Sequence, residues 1–408
     1  MSTIAVDLGS SHLKGVVVLD DGTFAHEPIS WRMPPPEPGR PDEHLVDAES
    51  ILAAVSKLVA QLARHSSVPT DIRLAGQTGS YVLIAEGDSG PALFHSWQDT
   101  RGERPADDSG ARSSELLLEL LGPDWRTRAG VFMKPGLPVS NLWYDLRHGD
   151  LPPGARLLTL GGYLCNRWCG AWAVEVTQAA TTGLFDTSTM QWHEGVVEAL
   201  EHRVVMPQLV SHSEPVGSAV FGGHRLDIYP EVGDHHAGVL AAMRESGTGL
   251  DEPAVTITIG TAGLAARAVS ERRDWTDREV RPFFGSGWLE TATRQPSGRH
   301  LAGLAQAVSD QVEGICGTPP DPDRLWAAVT SMVLDLGVAD HFGSRYRAAA
   351  AQLLGGATLQ RTMYTGGVLL RNGLLRSRID AALGAPSTLV GREATLAGLA
   401  VLATSHAA

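Results

Sequence analysis

Cysteine is scarce in this 408-residue chain: Cys165, Cys169 and Cys316 are too few and too odd in number for a disulfide framework. A reducing compartment, the cytoplasm, is therefore expected. Positive charge is also in short supply, with 33 lysines and arginines against 46 aspartates and glutamates and a formal net charge of -13. Such a chain offers no basic field for nucleic acid or for an anionic membrane. No apolar run reaches the roughly 18 residues of a bilayer span, and the opening MSTIAVDLGSS meets an aspartate before a signal-peptide core develops. The phosphate-cradling sequences GxxxxGKS/T and strand-linked GxGxxG are both missing. A nucleotide site would have to be assembled from other turns.

What remains is an ordinary globular composition, 43% hydrophobic and 19% charged, at a length that fits two domains. The opening reads as a β-hairpin, with strands over 3–8 and 13–19 joined at Gly9-Ser10-Ser11. After a proline-rich connector, apolar spacing predicts a helix over 49–64, strands over 72–75 and 81–85, and helices over 114–121 and 160–168. Cys165 and Cys169 stand four apart on the last of these with no further ligands, and read as buried thiols. Near 254 the same grammar restarts: an apolar strand AVTITIG, a turn at Gly260-Thr261-Ala262-Gly263, and a second strand to Val269. We read this as an internal duplication, with units at 1–240 and 241–408. Helices are expected over 301–312, 323–334 and 345–354, then a strand and turn at Thr365-Gly366-Gly367, and two closing helices.

Three glycine turns, each following an apolar strand, are places where backbone could approach a ligand. In VDLGSSHLK the turn offers backbone N–H groups as an anion nest, Asp7 can hold a hydrated magnesium ion, and Lys14 adds a cation. A plain hairpin with a turn-favouring aspartate is the alternative. In EVGDHHAGVLAAM, Asp234 stands where a loop hands over to a helix. It is either an N-cap or a general base that accepts the proton of a hydroxyl. His235 and His236 are neighbours on that helix, about 100° apart, and poorly placed to chelate one ion.

Over nearly its whole length the chain resembles the FGGY carbohydrate kinases of the actin-like ATPase superfamily. VDLGSSHLK is similar to the family's first phosphate motif, TIGTAG to its second, VGDHHAG to its catalytic-aspartate segment, and YTGGVLLRNGLLRSRIDAALG with EATLAGLAVLA to its adenosine motif and closing helix. AGQTGSYVLI, SWQDTRG and WAVEVTQAATTGLFDTSTMQW resemble its sugar-side segments, and EVRPFFGSGWLE resembles the sedoheptulokinase and xylulokinase branch. The resemblance implies an α/β chain of two ribonuclease-H-like domains with ATP and magnesium in the cleft between them. It implies phosphoryl transfer to a sugar hydroxyl, with a ketose such as xylulose or sedoheptulose as acceptor. It assigns Asp7 to the magnesium ion, the Gly9, Ser10, Ser11 turn with Lys14 to the phosphates, and Gly260 with Thr261 to the γ-phosphate. Gly366 and Gly367 would meet the adenosine, with Asn372 near its base. Asp234 would be the general base, and Gln77, Thr78, Asp99 and Arg101 would line the sugar pocket. The partner expected is a small sugar or sugar-like molecule, with a homodimer as the oligomeric option.

Departures from the family pattern bear on substrate. Thr78-Gly79 stands where many pentulose kinases carry Met-His, Glu175 replaces an aspartate, His235 replaces an amide or small residue, and Ser10 replaces threonine. The chain is also shorter than typical members. Two further readings therefore stand beside the sugar kinase: a catalytically idle sugar- or nucleotide-binding relative, and a kinase of a cyclitol or modified sugar.

Overall fold

A computed structural model describes residues 2–66, 68–85, 92–107, 110–321, 324–326, 328–329, 332, 337–391 and 393–405. Alternation in the first strand, Ser2–Leu8, sets the layering of the N-terminal half. Ile4, Val6 and Leu8 point to one core, and Ala5, with Val16 and Val18 of the neighbouring His12–Leu19 strand, points to another. The first core is closed by the Ala48–His65 helix, started by Asp47, whose carboxylate accepts from Glu49 N (3.2 Å) and Ser50 N (3.1 Å). Gly15 lets that helix come down on the sheet, because a Cβ there would lie 2.7 Å from Leu62 Cδ1.

Ser2–Leu8 runs antiparallel to His12–Leu19 and parallel to Pro69–Gly76, within a sheet ordered Gly217–Phe221, His224–Ile228, Pro69–Gly76, Ser2–Leu8, His12–Leu19, Ile29–Arg32. The C-terminal half repeats the scheme. Ala254–Ile259 runs antiparallel to Gly263–Val269 and parallel to Arg361–Thr365, in the order Glu279–Pro282, Trp288–Ala292, Gly263–Val269, Ala254–Ile259, Arg361–Thr365, Ser387–Leu389. The duplicated strand-turn-strand unit is thus a duplicated sheet, the ribonuclease-H-like arrangement. A smaller sheet, centred on Tyr81–Ile84 and Ala155–Leu158, is inserted in the first half. It has its own core around Trp125, Leu142 and Leu184.

The expected helices are found at Ser113–Leu121, Leu160–Cys169, Gly298–Cys316 and Val338–Leu354. Half of the helix expected over 323–334 falls outside the described residues, and the described positions, 324–326, 328–329 and 332, are helical. Pro138–His148 is a further helix that the sequence reading passed over.

Two helices join the halves. Asp234–Ser246, inside which the expected 240/241 division falls, leads from the first sheet to the second. Ala394–Thr404 returns to pack against it and against the Ser2–Leu8 sheet. Their crossing is close enough that a Cβ on Gly398 would lie 2.0 Å from the Ala237 carbonyl oxygen. Gly398→Ala is expected to lower the unfolding free energy in urea by about 1–3 kcal/mol. Gly303→Ala, on an open helix face with no atom within 4 Å of a new Cβ, is expected to hold or slightly raise it. Equal urea midpoints for the two variants would refute the close crossing.

Candidate functional site

The two sheets and the inserted one enclose a cavity of about 600 Å³, in the range of small-molecule sites. Its floor is set by parallel strand ends. Val232–Gly233 pairs with Ala75 and Gly76, so the chain emerges side by side at Gln77-Thr78 and at Asp234, and all three residues line the cavity. A short helix, Val176–Ala179, locks the two ends together. Gln178 Nε2 donates to the carbonyls of Gly76 (2.9 Å) and Val232 (3.2 Å). Gly233 N donates to Thr177 Oγ1 (3.0 Å), Thr177 N to the Glu175 carboxylate (2.7 Å), and Gly79 N to Thr181 Oγ1 (2.9 Å). All but the part-buried Gly79–Thr181 pair are buried, where an unmade hydrogen bond is costly.

Gly233 occupies the N-cap position, and Asp234 is the first residue of its helix, so the capping alternative does not hold. Asp234 Oδ1 accepts from His235 N at 2.7 Å. Burial pushes Asp234 up to about 6, against hydrogen bonds from the His235 and Thr78 backbone and the charge of Arg281. Asp7 also lines the cavity; burial, then the Asp234 carboxylate, push it up to about 7, opposed by Lys14. Two carboxylates whose proton affinities are raised despite Lys14 and Arg281 are short of countercharge. A divalent cation bound by one or two carboxylates and by substrate phosphates suits that deficit. Among the described residues no group of three or more His, Cys, Asp or Glu side chains is placed to hold a metal by itself. Burial pulls His235 down to about 3 and His236 well below its usual value, so both are neutral.

Lys14, opposite Asp7 in the hairpin, reaches across to Glu393 (2.7 Å) just ahead of the returning helix. Ser10 lines the cavity, whereas Gly9 and Ser11 complete the turn without doing so. The second and third turns close the opposite wall through Gly260, Thr261, Gly366 and Gly367. Gly366 has φ 93°, and a Cβ there would lie 2.5 Å from the Ile259 carbonyl, so only glycine fits between the strands. Asn372 is away from the lining; its Oδ1 accepts from Leu375 N (2.9 Å) and caps the Gly373–Leu383 helix.

Asp99 and Arg101 are also away from the lining. Arg101 grips Asp99 through Nε (3.0 Å) and Nη2 (2.7 Å) and reaches Asp145 (3.2 Å), a buried network that shapes the loop behind the cavity. The segment contributes Trp97 to the cavity instead. Lys134, Glu279, Arg281, Arg294 and Arg299 complete the wall facing Asp234. Glu279 and Arg281 lie in the EVRPFFGSGWLE segment, which the sequence reading quoted without assigning them a role, and it did not reach Lys134, Arg294 or Arg299.

The model of the N-terminal domain of the FGGY family of carbohydrate kinases matches residues 2–222. A glycerol kinase of Gluconobacter oxydans is 25% identical over 259 residues, covering 58% of this chain and 48% of that protein. The chain spans about half the length of the curated relatives it matches. Solved structures align over the whole chain: a xylulose kinase from Rhodospirillum rubrum with TM-score 0.79 and 16% identity, covering 90% of that chain, and a Plasmodium falciparum glycerol kinase with ADP, with TM-score 0.76 and 14% identity, covering 89%. These likenesses establish the two-domain actin-like ATPase fold. With its N-terminal 221 residues matched, more than half of the sequence, the chain belongs to the FGGY family of carbohydrate kinases.

Proposed function

We propose that the protein transfers the γ-phosphate of Mg-ATP to a hydroxyl of an open-chain sugar. The observation that carries this reading is the meeting of Asp7 and Asp234 in one cavity walled by three glycine turns. Xylulose and sedoheptulose are the reference acceptors of the class. Asp7 would hold the magnesium ion through its water shell, and that ion supplies charge neutralisation on the phosphates.

The turns at Thr261 and at Ser10, with Lys14, would offer backbone and a cation to the phosphoryl oxygens, the Gly260 N–H being held by the Ala262 carbonyl, and Gly366-Gly367 would leave bare backbone against the nucleoside. Gln77 and Thr78 orient the acceptor beside Asp234. The Asp234 carboxylate takes the hydroxyl proton as the oxygen bonds to the γ-phosphorus, and the bond from that phosphorus to the β,γ-bridging oxygen breaks, releasing ADP. Retention of Asp7, Asp234 and Thr261 together favours an enzyme over an idle binding relative.

Asp234→Asn is expected to cut sugar-dependent ADP release by at least about 100-fold, with ATP affinity by calorimetry little changed. Near-normal turnover would remove Asp234 from the role of base. Because Asp234, near 6, acts deprotonated and Asp7, near 7, must lose its proton to hold the ion, kcat/KM should rise with pH and level off only above about pH 8. Below pH 6 both carboxyls are protonated and the fall should steepen toward about a hundredfold per unit. A profile flat from pH 5 to 8 would contradict this. Gln178→Ala frees the two strand ends and is expected to lower kcat on the order of 100-fold while ATP affinity is retained. Steady-state kinetics with unchanged kcat would show that the clamp does not position the base.

A further inference from the structure

Within the kinase reading above, on which this inference rests, the cavity wall opposite Asp234 carries more positive charge than a neutral acceptor calls for. Lys134 Nζ donates to Glu279 at 2.8 Å, and Arg281 Nη2 lies 3.6 Å from the other oxygen of the same carboxylate. Two cations thus share one anion, and Arg281, its side chain only 5% exposed, has besides it a hydroxyl partner, Thr291 Oγ1 at 3.0 Å, and the charge of Asp234 without an ion-pair contact. A buried guanidinium so thinly compensated is costly to keep unless a further anion arrives.

Two more arginines lean toward the same place. Arg294 donates to the Met133 carbonyl (3.3 Å), next to Lys134, from a backbone at φ 59°, where side chains other than glycine are uncommon. Arg299 lies over the Trp97 ring, 4.2 Å from its centroid, and no carboxylate among the described residues pairs with Arg294 or Arg299. Trp97 in turn backs onto Gly136, where a Cβ would meet the Trp97 carbonyl at 2.1 Å. Four cations therefore converge on the 131–137 segment against two carboxylates, Glu279 and Asp234.

We infer that the acceptor is a sugar acid, an open-chain polyhydroxy compound whose carboxylate is received by Lys134, Arg281, Arg294 and Arg299 while one of its hydroxyls lies at Asp234. Guanidinium groups match a carboxylate in bidentate geometry. A single negative charge held several bonds from the reacting hydroxyl repels the incoming triphosphate less than a second phosphate would.

The test uses the full-length protein with matched acceptors: D-gluconate, D-fructose and D-fructose 6-phosphate, and D-xylonate, D-xylulose and D-xylulose 5-phosphate. Melting shifts in the presence of ADP report binding, and ADP release from Mg-ATP reports turnover. The acids are expected to bind more tightly than their neutral partners. Lys134→Met and Arg299→Gln, both at solvent-reachable side chains, are each expected to weaken acid binding on the order of tenfold to a hundredfold, with ATP affinity retained. Equal or better binding of the neutral sugar or the sugar phosphate would overturn the inference, as would variants that weaken ATP alone. Turnover with a neutral sugar and none with its acid overturns the inference and leaves the kinase reading standing. Tight, variant-sensitive binding of an acid without turnover supports the inference and counts against the kinase reading.

Discussion

The amide of Gln178 is the contact on which the site depends. Its two hydrogens tie the carbonyls of Gly76 and Val232, which lead into the Gln77-Thr78 loop and the Gly233-Asp234 helix start. Parallel strands diverge where their ladder ends, and without a bridge the two loops would be free to set their own separation. Gln178 fixes it at the scale of a hydrogen bond, and Thr177 just before it and Thr181 three residues after it repeat the device on Gly233 and Gly79. A helix of four residues therefore holds a geometry that neither sheet holds by itself.

Around that clamp the electrostatics are deliberately incomplete. The Asp234 carboxylate adds to the desolvation that raises the proton affinity of Asp7, and Lys14, which opposes that rise, is shared with Glu393. Near neutral pH Asp7 holds its proton for part of the time while Asp234 is mostly ionised, and a bound cation would shift Asp7 toward its charged form. The opposite wall has the reverse imbalance, with Lys134 and Arg281 sharing Glu279. A cavity with a surplus of carboxylate on one face and of cation on the other is arranged to orient a polar ligand as well as to hold it.

The elements that position this site were legible where local chemistry dictates them. Apolar alternation gave the two central strands, and the glycine turns after them could be read because bare backbone leaves a mark in sequence. Pro138–His148 was equally readable, from Pro138 at its first turn and from Val139, Leu142, Trp143 and Leu146 at helical spacing, and was passed over. Asp99 and Arg101 show a different limit. A charged pair two residues apart looks the same whether it faces a ligand or grips itself, and here it grips itself and Asp145. Asn372 could be read as a cap from its place before an apolar helix. Lys134 and Arg281 had no such signal, since only the fold brings residues so far apart in sequence to one carboxylate.

The return of the Ala394–Thr404 helix to the Ser2–Leu8 sheet bears on how the chain acquires its structure. One face of the first sheet, around Ala5, Val16 and Val18, is covered by Leu396, Leu399 and Leu402, almost four hundred residues later. During synthesis that face stays uncovered until the residues around Leu396 to Leu402 have left the ribosome, with only the Asp234–Ser246 helix as an earlier shield. The N-terminal half is thus made first and finished last, and its exposed apolar face is the place where a chaperone or an aggregating neighbour would meet the nascent protein.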